Sequence, residues 1–249
     1  MRYCPTAFAL LAACRINFDP AGEITDAVNP DGTPADAAPD ALFTPLVQAV
    51  SLDAVAGAGL TLDGTIGLAP ITAGNMVLVV CGGLDLQNAC RPISTPPATW
   101  QEIDGGTTLG VYVTCNAPAI TSIMVMNGGT ELNVIVTEWS GVAASCYDTG
   151  KTSTACATAP TAWNSLATPT TSQNRSLIVT LGTAGSVDAG WSVDAPYAMA
   201  KDATGVNGAS NPFVAYQEVD APPMPYAGSG FVNQYSSACF NDVFAFNRP

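Results

Sequence analysis

A chain of 249 residues has room for one large all-β domain or two small ones. Hydrophobic residues make up 48% and charged residues 11%, so a large core must be covered by Thr, Ser, Asn and Gly rather than by ions. The formal net charge of −13 opposes nucleic acid and anionic membranes, and the lack of any histidine removes Ser-His-Asp, Cys-His and His-ligated zinc chemistry.

In chain order, "MRYCPTAFALLAAC" comes first. Its Leu-Ala-Ala-Cys end is similar to a bacterial lipoprotein cleavage box, but the apolar core is short, Pro5 stands at its start and Arg2 is its only charge. The segment therefore reads as retained. No apolar run approaches the roughly 18 residues of a membrane span. Residues 19–41, "DPAGEITDAVNPDGTPADAAPDA", show neither helical nor strand periodicity. Residues 1–44 are expected to form an extended docking arm. Asp26, Asp31, Asp36 and Asp40 within it lack the spacing of a calcium loop and read as solvated acids.

From residue 45 onward the pattern is β. Strands are expected at residues 46–55, 59–68, 75–81, 107–115, 119–127, 131–139, 176–182, 212–219, 230–235 and 239–246, punctuated by Gly, Pro, Asn and Ser. Asn127-Gly128-Gly129 between two apolar runs predicts a hairpin. Residues 147–173, rich in Thr, Ala and Pro, predict a long surface loop. No internal repeat of fixed period is visible. Many short strands without helical patterns imply an antiparallel two-sheet sandwich or barrel over residues 45–249.

Eight cysteines in a chain of low charge point to an oxidised final environment. Spacing leaves their pairing open. The local pairs Cys81–Cys90 and Cys146–Cys156, each closing a polar loop, are the expectation, with buried thiols as the alternative. Trp163 and Trp191 lie near loops and are the candidates for a glycan-stacking platform; the alternative is that they are structural.

"VIVTEWSGVAASC" (residues 134–146) holds the most pointed chemical question. Alternation puts Val134, Val136 and Glu138 on one face, and Ile135, Thr137 and Trp139 on the other. As a glycosidase residue, Glu138 needs a second carboxylate about 5–10 Å away. Glu102, Asp104, Glu131, Glu218 and Asp220 are available, and no spacing selects one. The competing reading is a strand-end carboxylate that accepts hydrogen bonds from the amides of the following turn. No nucleophile elbow, P-loop, dinucleotide fingerprint or CxxC occurs, so no catalytic residue, cofactor or metal site is expected.

The order "ITAGNMVLVV" (71–80), Trp100, "GTTLGVYVTCNAP" (106–118), "ITSIMVM" (120–126), "LNVIVTEWSGV" (132–142) and "NRSLIVT" (174–180) resembles a jelly-roll-like β-sandwich family. That family occurs in bacteriophage virion proteins and in some secreted bacterial proteins. Asn75 stands where the family carries an acid, Trp139 where it carries a tyrosine, and eight cysteines are unusual for it. The resemblance implies a jelly-roll-type sandwich on the surface of a virion, as a decoration, spike or minor tail protein. Its partners would be other virion proteins, further copies of itself and host surface glycans, with no nucleic acid and no membrane insertion. It supplies no catalytic residues. The alternative is a secreted bacterial carbohydrate-binding or adhesion module.

Overall fold

A computed structural model describes residues 45–54, 60–83, 90–126, 132–152, 161–185, 190–203, 210–233 and 239–249. The chain divides into Met1–Phe43 and Thr44–Pro249. The expected arm lies outside the described residues, and so do Glu131 and Cys156.

The described residues are all β apart from one 3-10 turn. The first eight strands are β1 (Leu46–Ala54), β2 (Leu60–Leu62), β3 (Met76–Gly83), β4 (Pro92–Thr95), β5 (Gln101–Gly105), β6 (Leu109–Thr114), β7 (Ser122–Val125) and β8 (Leu132–Trp139). The second eight are β9 (Tyr147–Thr152), β10 (Thr161–Asn164), β11 (Arg175–Gly185), β12 (Trp191–Val193), β13 (Ala198–Asp202), β14 (Ser210–Asp220), β15 (Ser229–Val232) and β16 (Cys239–Asn247). They form four antiparallel sheets, ordered β1-β8-β3-β6-β5, β2-β7-β4, β13-β14-β11-β16-β9 and β10-β15-β12.

The antiparallel sandwich expected from the sequence is present, but it is built twice. Adding eight to each strand number of the first two sheets generates the second two. In both halves strand 1 pairs with 8, 2 with 7 and 3 with 6, the pairings of a long hairpin rolled onto itself. Irregularities recur as well. β1 is bulged between Leu46 and Gln48, and β9 pairs Tyr147 and then Thr149 across the matching shift. β5 shifts between Glu102 and Asp104, and β13 between Met199 and Lys201. Through their shared partners, Leu46 matches Tyr147, Leu60 matches Thr161 and Met76 matches Leu177, each 101 residues apart. The repeat escapes a sequence reading because half-exposed edges constrain neither identity nor polarity: "LVQAVS" and "YDTGKT" occupy equivalent edges.

The sheets stack in four layers. Met76, Leu78 and Val80 of β3 meet Leu177, Val179 and Leu181 of β11 in a layer between the two five-stranded sheets. The other face of the first large sheet, with Val77, Val79, Val134 and Val136, packs on Leu62, Ile123 and Val125 of its small sheet. Phe213, Ala215, Val243 and Ala245 do the same for the second large sheet. Both large sheets are thus covered on both faces, so β3, β6 and β8 are buried at every residue. This accounts for apolar runs in place of alternation, and for a chain with so few charges. At about 25 cal/mol per Å² of apolar surface, such burial dominates the stability.

Several expectations need correction. β7 and β8 do not form a hairpin: β7 pairs with β2 and β4, and β8 with β1 and β3. The chain passes between sheets there because Ile123 and Val125 face Val134 and Val136 across one core. Residues 147–173 are not one loop, since they contain β9 and β10. Both are edge strands, where one free flank leaves room for polar side chains.

Candidate functional site

Glu138 is completely buried near the end of β8. Its Oε2 accepts from Gln48 Nε2 at 2.6 Å, and its Oε1 accepts from the Thr72 amide at 2.8 Å and Asn75 Nδ2 at 2.7 Å. Gln48 is itself locked, because its Oε1 accepts from the Ala69 amide and its Nε2 donates to the Ala69 carbonyl, both at 3.0 Å. The carboxylate therefore ties β1, the segment before β3 and β8 together. The strand-end reading of Glu138 stands with changed donors: they come from β1 and from the segment before β3, not from the turn that follows. Charge-assisted bonds of this kind are the stronger class of hydrogen bond.

The described carboxylates offered as its partners are engaged elsewhere. Glu102 accepts from Tyr112 Oη at 3.1 Å, Glu218 pairs with Arg248, and Asp220 lies 4.0 Å from Arg175. Tyr112 is pushed up from its ordinary pKa by burial and by the neighbouring Glu102 charge. Asp104 instead meets Asp242, a pairing that the sequence did not suggest. The two line a cleft of about 200 Å³ with Gly106, Thr107, Thr108 and Thr152. Asp104 is raised from the usual carboxylate range, first by burial and also by Glu102, while bonds to Asp242 and to the Gly105 and Gly106 amides oppose the rise. Asp104 lies opposite Val111 and Asp242 opposite Leu181, so both belong to the layer between the sandwiches. No local signal marks Asp242, because its partner comes from the other half of the chain.

A second depression, about 450 Å³, is open and lined by residues such as Gly74, Pro97, Thr99 and Asn116, with no acid or base. Among the described residues no group of three His, Cys, Asp or Glu side chains is placed to hold a metal. None of their helices is long and apolar enough to cross a membrane.

The glycan platform is overturned. Trp163 is 1% exposed and Trp191 9%, and both pack on Phe213 with ring centroids 5.1 and 4.4 Å away. They sit on β10 and β12, either side of β15, and fill the core of the second sandwich. Cys81–Cys90 forms as expected, with Cα atoms 6.0 Å apart. Cys146 pairs with Cys115 at a Cα separation of 5.6 Å, not with Cys156. Sequence nearness favoured the wrong loop. The fold brings the residue after β6 beside the one before β9, and Cys115 Sγ also accepts from the Cys146 amide at 3.2 Å. Cys239 is disulfide-bonded too.

No protein-family model, curated protein or solved structure matches the chain.

Proposed function

We propose that this chain is a structural protein of a bacteriophage particle, exposed on its capsid or tail. The twice-wound sandwich is the observation that carries this reading. The described residues from 45 onward are given over to a four-layer stack, and eight-stranded wound sandwiches of this kind recur in viral capsid and lectin domains. Such a stack offers few exposed charges and keeps most strands covered, which suits a module that stands outside a particle and resists proteolysis. Partners would be other virion proteins and further copies of this chain, engaged through loops, sheet edges and residues 1–44. Glycan contact, where the role includes it, uses a surface other than Trp163 and Trp191, which are core residues.

Mass spectrometry and immunogold labelling of gradient-purified particles test the proposal. The chain is expected at fixed stoichiometry and accessible to antibody. Its absence from particles, with recovery only as a lone secreted monomer, defeats the reading.

The disulfides favour a second reading, a secreted bacterial adhesion or carbohydrate-binding module. Cys81–Cys90 and Cys115–Cys146 are the kind of bond that persists in oxidising compartments. Recovery of the oxidised protein from culture supernatant in cells that make no particles supports this alternative.

A further inference from the structure

We propose that Asp104 and Asp242 form a proton-shared clasp between the two sandwiches, closed at acid pH and loosened as pH rises. Asp104 comes from β5, the edge of the first large sheet, and Asp242 from β16, next to the edge strand β9 of the second. They meet where the apolar layer between the sheets runs out. Leu109 and Val111 lie on one side, Leu181 and Phe244 on the other.

Among the described residues that line the cleft, no side chain is a cation that would balance two negative charges. Glu102, on the same strand but on its other face, adds the charge of a third acid, and Tyr112 is bonded to that Glu102. Thr152 lines the cleft from β9, and the cleft lining contains neither Lys nor Arg. Lys151 pairs in register with Val243, whose side chain belongs to the core on the opposite face of the sheet. Arg91 acts on Tyr112. The Gly105 and Gly106 amides donate to Asp104 and favour its anion, but burial opposes them and prevails.

The direction follows from linkage. The folded state holds the Asp104 proton more tightly than the unfolded chain does. The clasp therefore contributes fully below the ordinary carboxylate range, and its contribution is lost as pH rises through the raised value. Above that pH a half-buried carboxylate and a buried one repel, one from each sandwich.

Hydrogen exchange across a series from about pH 3.5 to about pH 8, corrected for intrinsic rates, tests the clasp on wild type, Asp104→Asn and Asp242→Asn. In wild type, opening at β5 and β9 should rise severalfold from the acid to the alkaline end of the series. Either amide variant can donate to the remaining carboxylate at every pH, so its profile should be flat. Identical profiles in wild type and both variants overturn the proposal. Should the variants fail to fold, the carboxyl ¹³C titration of wild-type Asp104 decides, and a midpoint at or below the ordinary Asp value rejects the clasp.

Discussion

Replacing Glu138 with glutamine changes one oxygen to an amide, and the hydrogen-bond pattern around it makes the consequence calculable. The Thr72 donor is a backbone amide that cannot be reversed, so the new side chain must keep its oxygen at the Oε1 position. Its amide then faces Gln48 Nε2, donor against donor. Gln48 cannot flip to relieve this without reversing both of its bonds to Ala69. One charge-assisted bond is lost and a buried donor is left unsatisfied, which costs about 2–3 kcal/mol. With an m-value of about 3 kcal/mol/M, the urea midpoint falls by somewhat under about 1 M. Glu138→Ala orphans all three donors and opens a cavity, at about 3–5 kcal/mol. The mechanism has its own signature in a double-mutant cycle: in a Gln48→Ala background the opposing donor is gone, so Glu138→Gln should cost markedly less. If Glu138→Gln denatures within about 0.5 kcal/mol of wild type, or costs the same in both backgrounds, the network does not hold the strands as described.

A Cβ added at Gly82 would lie 2.6 Å from Thr183 Oγ1 and 3.0 Å from the Ser210 carbonyl oxygen, at the contact between sandwiches. Gly82→Ala should therefore destabilise by about 1–3 kcal/mol in chemical denaturation, whereas Gly64→Ala, in open space, should not. Cys115→Ser with Cys146→Ser removes a link across 31 residues and should cost about 3–4 kcal/mol, against about 2.5 kcal/mol for the shorter Cys81–Cys90 link across 9. Equal thermal shifts for the two pairs would contradict the loop-length argument. Burial, the largest cause, pushes the Tyr197 phenol up to about 12. Its hydroxyl donates to the Ala227 carbonyl at 3.0 Å. The folded phenol keeps its proton where the unfolded one would lose it, so stability is lost as pH rises from the ordinary value of 10.0 through about 12. Ultraviolet titration of Tyr197→Phe against wild type should show the missing phenolate only in that alkaline range.

Position in the sheets explains which strands the sequence missed, although the edge strands β1 and β2 were foreseen. β3, β6, β8, β11, β14 and β16 are interior strands with long apolar runs, and each is visible in the pattern. The unforeseen strands β4, β5, β9, β10, β12 and β13 are all sheet edges. β9, "YDTGKT", has no fully buried residue, so it carries no hydrophobic period to detect. The two faces of β8 were legible because alternation is local. That its carboxylate is held by Gln48 and Thr72 was not, since those donors lie 90 and 66 residues away.

Sequence alone determined that the chain is all β, that its core is large and its surface poor in ions, and that histidine chemistry is absent. Each of these follows from composition and short-range periodicity. Tertiary structure decided that the sandwich is wound twice, that Trp163 and Trp191 are core, that Cys146 joins Cys115, and that Asp104 meets Asp242. All four depend on which face of which strand is covered by a distant one, and an antiparallel fold settles that through pairings made far along the chain.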